Sequence, residues 1–255
     1  MSPTPSRTGA YQLSTDEVHC WCVRLDVSPG ACARLNATLT IEELARSARL
    51  RYERDRRRFV VAHGVLRELL ARYLRTRPGR IRYEYNTFGK PDLTPLSANP
   101  LKFNLSHSAD LALIAIAAES NVGVDLEYIR AQPDEMEIAE RFFSADDVRY
   151  LKGLPNHLRT RGFFSRWTRT EAYVKACGGA LVNLDGASKK VAPDKSWSIY
   201  TLRPAPGYVG ALAIQGSGRR LVQRHWQKSI DTDPSEEISP QSPLGYSFME
   251  AGTTS

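Results

Sequence analysis

Val122-Gly123-Val124-Asp125-Leu126-Glu127 reads as a β-strand, and Trp167-Thr168-Arg169-Thr170-Glu171-Ala172-Tyr173-Val174-Lys175 reads as part of a long helix. Side chains alternate along a strand, so Val124, Leu126 and Tyr128 fall on one face and Asp125 and Glu127 project together from the other. On the helix, Glu171 and Lys175 are four residues apart and share a face. Trp167 lies one turn before Glu171 and Val174 almost one turn after it, which sets the glutamate inside the apolar stripe. Carboxylates on core-facing surfaces are unfavourable unless something positive meets them. An exposed Glu171–Lys175 pair would contribute only ~0.3–0.5 kcal/mol, too little to explain charge on a buried face. A hard divalent cation explains it better. Three oxygen ligands suit Mg²⁺, which completes an octahedral shell with water and substrate phosphate. The pattern points to a metal-dependent enzyme acting on phosphate, with Lys175 placed to neutralise charge on a leaving group.

Outward from these segments, Val18 to Leu25 alternates and reads as a strand. Thr40 followed by Glu43 is a helix-start signature for a helix through about Tyr52. Phe59, Ala62, Leu66, Leu69, Leu70 and Tyr73 recur at helical spacing and predict a second, long helix ended by Pro78-Gly79. Ile81 to Tyr85 predicts a strand, and Gly89-Lys90-Pro91 with Pro95 a loop. Phe103 to Leu105 and Leu111 to Ala117 predict short strands around a turn at Ser106-His107-Ser108, the second buried on both faces. Helices are expected from about Asp134 to Phe143, from Asp146 to Leu151 with Ser144 as cap, and from about Arg161 to Cys177, stopped by Gly178-Gly179. Strands near Trp197 to Leu202 and Tyr208 to Ile214 close the fold. A strand, then helices, then strands is expected twice, with a switch near residue 120. From about Lys228 the chain is rich in Ser, Pro and Glu and predicts a disordered tail over 228–255.

The chain has 255 residues and a formal net charge of +7. Thirteen arginines stand between Arg46 and Arg82 against only Glu53, Asp55 and Glu68, a local surplus of +10. Such a surplus seeks a nucleic acid, a polyphosphate ligand or an acidic protein, and a solvated helix face accounts for part of it. Cys20, Cys22, Cys32 and Cys177 show no zinc-type spacing and read as reduced, packed thiols. No apolar run is long enough to span a membrane, and Met1 to Ala10 lacks the apolar core of a secretory signal. A soluble cytoplasmic protein without a membrane role is expected. No P-loop or dinucleotide fingerprint is present. Asn104 and the Ser106-His107-Ser108 turn offer more donors than a turn needs, and donors suit phosphate. Lys90, between Gly89 and Pro91, has its ammonium held by a rigid bend.

Gly89-Lys90-Pro91, Phe103-Asn104-Leu105-Ser106-His107-Ser108, Gly123-Val124-Asp125-Leu126-Glu127, Phe142-Phe143-Ser144 and Trp167 to Lys175 together resemble, in order and spacing, the Sfp-type 4′-phosphopantetheinyl transferases, from about residue 18 to 226. The resemblance implies an α+β pseudo-dimer of two similar halves with coenzyme A between them. On the present numbering the halves are 1–120, for coenzyme A binding, and 121–227, for metal binding and catalysis. It implies transfer of phosphopantetheine from coenzyme A to a serine of an apo acyl, peptidyl or aryl carrier protein, releasing adenosine 3′,5′-bisphosphate. It places Mg²⁺ on Asp125, Glu127 and Glu171, the pyrophosphate on Lys175, and further coenzyme A contacts on Lys90, Pro91, Ser106 and His107. The 3′-phosphate region falls on Arg58 or Arg46. Two departures stand out: Thr170 where the family usually has Lys, and Ala180 where it has the second Gly of a Gly-x-Gly-Leu loop.

The expectation is therefore a monomeric, magnesium-dependent transferase acting with an acidic carrier protein. Glu171, directly or through a metal-bound water, is the base, and Lys175, His107 and the basic cluster stabilise the leaving group. Two other readings stand beside it. Another metal-dependent phosphoryl-transfer or nucleotide-hydrolysing enzyme would use the same carboxylates without a carrier. A basic nucleic-acid-binding module would use the arginines but leaves Asp125, Glu127 and Glu171 unexplained.

Overall fold

The computed structural model describes residues 11–94, 101–179 and 195–226. The first half runs β1 (Glu17–Arg24), α1 (Pro29–Asn36), α2 (Ile41–Ala48), α3 (Glu53–Tyr73), β2 (Tyr83–Tyr85), β3 (Pro91–Leu93), β4 (Leu101–Ser108) and β5 (Leu111–Ala118). The second runs β6 (Val122–Tyr128), α4 (Glu135–Phe142), α5 (Ala145–Gly153), α6 (Asn156–Ala176), β7 (Trp197–Leu202) and β8 (Tyr208–Gln215), followed by β9 (Arg220–His225). Each half repeats a strand, then helices, then strands, which is the α+β pseudo-dimer expected from the sequence.

Local chemistry explains most boundaries. Thr40 and Glu43 form a reciprocal capping box, with Thr40 N–H donating to Glu43 Oε2 at 2.8 Å and Glu43 N–H to Thr40 Oγ1 at 3.3 Å. Helix α2 stops at Ala48 rather than near Tyr52, because the Arg49 and Leu50 N–H groups turn back to the Arg46 and Ser47 carbonyls. Helix α3 ends before Pro78-Gly79, which form a separate 3₁₀ turn. Arg75 takes a positive φ of 53° and Thr76 N–H reaches the Ala71 carbonyl, so the chain leaves the helix there. Ser106-His107-Ser108 is not a turn. It is the end of β4, and the turn falls at Ala109, with φ 50°, and Asp110. Ser144 caps α5 as expected, accepting from Asp147 N–H at 3.1 Å.

Two sheets form the centre. The first has the order β4-β5-β1-β9, with β1 antiparallel to β5 and parallel to β9; the second is antiparallel, β6-β8-β7. One face of the first sheet, carrying Trp21, Val23, Phe103, Ile114 and Ile116, packs on Val61, Leu66, Leu69 and Leu70 of α3. Its other face, with Val18, Cys20, Leu113 and Ala115, packs on Val122, Val124, Leu126, Leu212 and Ile214 of the second sheet. Burying each such aliphatic side chain stabilises the fold by ~1.5–3 kcal/mol before conformational entropy is counted. Within the first sheet, between α3 and the second sheet, β5 is buried on both faces. Helix α6 covers the outer face of the second sheet through Ala172 and Ala176 against Ala211 and Ala213. The layers are therefore helices, sheet, sheet, helices.

Part of the arginine surplus is structural. Arg67 is 1 % exposed, ion-pairs with Glu43 at 2.7 Å, and donates to the Pro78 and Ile81 carbonyls. All four cysteines are free. Among the described residues no helix is long and apolar enough to cross a membrane. The expected tail from Lys228, together with Pro95 and Ala180, lies outside the described residues.

Candidate active site

Gly123 sets the geometry of the site. A Cβ at this position would meet Ala172 O at 2.1 Å and Ala176 N at 2.5 Å, so only glycine lets the backbone of α6 lie directly on β6. That close approach brings Glu171 and Lys175, the neighbours of those alanines, over the strand that carries Asp125 and Glu127. The two segments picked out in the sequence are thus packed against each other, at the junction of the halves.

Asp125 is 4 % exposed. Its Oδ1 accepts from Lys175 Nζ at 2.6 Å and from Ser106 Oγ at 3.0 Å, while its Oδ2 is buried without a hydrogen-bond partner. Lys175 Nζ also donates to Ser106 Oγ at 3.3 Å. Lys175 thus reaches across to the strand rather than pairing along its own helix. Glu127 accepts from Ser108 Oγ at 3.1 Å and lies 3.6 Å from Arg130 Nη1. Burial, then the Asp125 charge, pushes the Glu127 carboxyl up. Glu171 is pushed up to about 7, mainly by burial; Lys175 opposes the shift, and the charges of Asp125 and Glu127 add to it. The three carboxylates act on one another's charge, and with one Asp125 oxygen orphaned their chemistry suits a hard cation with an all-oxygen shell. Among the described residues, though, no group of three His, Cys, Asp or Glu is drawn together as a ready-made metal cage.

The other expected site residues divide. His107, next to last in β4, is exposed and lies on the strand face opposite Ser106 and Ser108, the α3 side; desolvation and then the Lys175 charge hold its imidazole below the usual value. Ser106 is spent on Asp125. Lys90 does not offer a free ammonium: its Nζ donates to the Lys175 carbonyl at 2.6 Å and the Val122 carbonyl at 3.2 Å, and burial brings it down to about 8. Pro91 opens β3, paired with Tyr85 in the β2–β3 hairpin, so Gly89-Lys90-Pro91 is the tip and return of a hairpin rather than an open loop. Arg58 forms a two-pronged pair with Asp26, at 2.9 and 2.8 Å. Arg46 is exposed, lies 5.8 Å from the ring centres of both Phe59 and Tyr85, and donates to Tyr85 Oη at 3.3 Å. Of these two arginines, the structure leaves Arg46 the better presented to an anion.

Sequence reading missed several contributors. Gly123 carries no signal in the sequence beyond its place in a strand. Asn104, expected to donate to phosphate, instead accepts from Val124 N–H at 2.8 Å. Asn86 donates to the Gly178 carbonyl at 2.8 Å, tying the hairpin to the end of α6. The i, i+2, i+4 spacing of Asn104, Ser106 and Ser108 was the available signal, since it puts three polar side chains on one face of a strand. Beside the site, Asn86, Lys90, Asp92, Lys102 and Cys177 line a cavity of about 160 Å³.

Comparison with known proteins bears on the same residues. Residues 121–217 match the model of the 4′-phosphopantetheinyl transferase superfamily, and residues 28–121 match that of the 4′-phosphopantetheinyl transferase N-terminal region. The chain is 38 % identical over 215 residues to the 4′-phosphopantetheinyl transferase HetI of Nostoc sp., covering 81 % of this chain and 91 % of that one. It is 30 % identical over 162 residues to the transferase psf-1 of Bacillus pumilus, covering 63 % and 67 %. With the transferase Sfp of Bacillus subtilis it shares 26 % over 167 residues, covering 65 % and 72 %.

Proposed function

The chain belongs to the 4′-phosphopantetheinyl transferase superfamily, and on that premise we propose that it moves the phosphopantetheine group of coenzyme A onto a serine hydroxyl of an apo carrier protein, in a magnesium-dependent reaction. The observation that carries this reading is the seat of α6 on Gly123, which sets Glu171 and Lys175 over the strand carrying Asp125 and Glu127, with one Asp125 oxygen left unpartnered.

With no cation beside it, burial pushes Glu171 up to about 7, and a base works best when its pKa lies near the working pH. Glu171 takes the proton of the carrier serine, and the freed oxygen attacks the phosphorus that bears pantetheine. The bond from that phosphorus to the bridging oxygen breaks, and the bridging oxygen leaves with adenosine 3′,5′-bisphosphate. Lys175, released from Asp125 toward the pyrophosphate, and His107 stabilise the departing charge. Asp125, Glu127 and Glu171 would hold Mg²⁺, which supplies charge neutralisation at the pyrophosphate. Arg46 and the surrounding arginines give the 3′-phosphate and an acidic carrier a positive surface to approach.

Mass spectrometry of several apo carriers after incubation with enzyme, coenzyme A and Mg²⁺ tests the reading. The expected result is a gain of one phosphopantetheinyl group, lost when the carrier serine is replaced by alanine. Hydrolysis of coenzyme A without carrier modification would instead favour a nucleotide-cleaving enzyme.

A further inference from the structure

Among the described residues, strand β6 lies at the edge of its sheet, hydrogen-bonded within it only to β8. Along a strand, alternate residues turn their backbone N–H and C=O groups to opposite sides. Val122, Val124, Leu126 and Tyr128 therefore present theirs to the first half, where no described strand of that sheet meets them. An open edge of this kind is usually covered or blocked. Here side chains cover it. Asn104 Oδ1 accepts from Val124 N–H at 2.8 Å, and Ser108 Oγ accepts from Tyr128 N–H at 3.0 Å. Lys90 Nζ, from the hairpin, donates to the Val122 carbonyl at 3.2 Å. The pairs 104–124 and 108–128 run in step, so β4 lies alongside β6 in the same direction. Its side chains stand where a neighbouring strand's backbone would. Between the two clamped positions sit Asp125 and Glu127, themselves touched by Ser106 and Ser108.

We propose that Asn104 is a positioning residue for the transfer reaction: its amide oxygen, helped by Lys90 and Ser108, closes the open edge of β6 and fixes the carboxylate-bearing strand against the first half. The inference rests on the transfer activity proposed above. Asn104 is 6 % exposed and Val124 is fully buried, so the Val124 N–H has no water to fall back on when its acceptor is removed. His107 is carried by β4 and Asp125 and Glu127 by β6. The relation between the two strands therefore sets the relation between groups that address the same pyrophosphate. A shift of about 1 Å between them is enough to lower a rate by about 10²-fold.

The test compares Asn104→Leu, which keeps size and removes the acceptor, with Asn104→Asp, which keeps an acceptor oxygen. Val61→Ala, a core change in α3 far from the carboxylates, serves as the stability control. Amide exchange at Val124 is measured in each, together with kcat and KM per mole of folded enzyme. The expected result for Asn104→Leu is faster exchange at Val124 and a kcat lower by roughly 10–100-fold, with KM for coenzyme A and carrier unchanged within a few-fold. Asn104→Asp restores the exchange protection and part of the rate. Val61→Ala lowers the melting temperature without changing kcat. A normal kcat per folded Asn104→Leu enzyme, or unchanged Val124 exchange, overturns the proposal. If the wild-type enzyme modifies no carrier, the transfer reading fails instead, and the exchange data alone decide whether Asn104 secures β6.

Discussion

Replacing Gly123 by alanine should separate α6 from β6 and so dismantle the site without touching a charged residue. The new Cβ would stand 2.1 Å from Ala172 O and 2.5 Å from Ala176 N. Both are backbone atoms of α6 and cannot rotate away. Ordinary contact begins near 3.4 Å, so the helix must retreat by about 1.3 Å at this point. Ala172 follows Glu171 and Ala176 follows Lys175, so both functional side chains retreat with it. The 2.6 Å contact from Lys175 Nζ to Asp125 Oδ1 would open beyond good hydrogen-bond length. Overpacking of this kind destabilises by ~1–3 kcal/mol. For a chain of this size that lowers the melting temperature by about 2–12 °C. Misplacing the proposed base and the ammonium by about 1 Å should lower kcat by about 10²-fold. Thermal unfolding and single-turnover transfer at saturating coenzyme A and carrier read the two effects separately. A variant that melts within about 1 °C of wild type and turns over within about twofold would show that α6 does not rest on Gly123.

Arg46→Ala should weaken coenzyme A by about 1.5–3 kcal/mol and dephospho-coenzyme A much less, whereas Arg58→Ala should discriminate little because Arg58 is engaged with Asp26; titration calorimetry with both ligands decides, and the reverse pattern would move the 3′-phosphate to Arg58. Thr170→Lys should be tolerated, since the Thr170 hydroxyl only donates to the Arg166 carbonyl of its own helix at 3.0 Å. The added charge should improve apparent affinity by a few-fold at most, within the ~0–1 kcal/mol of an exposed pair, and a large loss of steady-state activity in the folded variant would contradict this. His63 is held down to about 3 by burial, with Arg46, His107 and Arg67 adding and Glu43 4.0 Å away. The unfolded chain then takes up a proton between pH 6.5 and about 3 that the folded chain refuses, so stability falls as pH falls through that window. His63→Gln should flatten the decline in melting temperature, and an unchanged slope would assign it to other groups.

The helices that carry the site were legible because their signals are local. The Thr40–Glu43 capping box, the apolar period of α3 and the glycine stop after α6 each act within a few residues. Asp125, Glu127, Glu171 and Lys175 were legible because charge on an apolar face calls for a partner. What the sequence withheld is long-range. Nothing local says that β9 returns to pair in parallel with β1, since no periodicity encodes a partner strand. Helix α1 was missed because it has only eight residues, although Ser28 caps it and Pro29 opens it. The end of β4 was misread because serines and a histidine mark turns more often than strands. Their alternate spacing makes sense only once β6 is seen to lack a neighbour on that side. Lys90 and Arg58 are the same lesson in charge: a lysine in a hairpin and an arginine in a basic run look available for ligand until their partners, two carbonyls and Asp26, are in view.

In the proposed reaction Glu171, set among the charges of Asp125, Glu127 and Lys175, removes the proton from the carrier serine. The most direct test of that step is the single-turnover rate of phosphopantetheine transfer by Glu171→Gln against wild type, at saturating coenzyme A, carrier and Mg²⁺. The substitution keeps the side chain's shape while removing its charge and its proton-accepting ability. A rate lower by on the order of 10²–10³ or more, in a protein that melts normally, is the predicted result. A folded Glu171→Gln enzyme that transfers at close to the wild-type rate would contradict it.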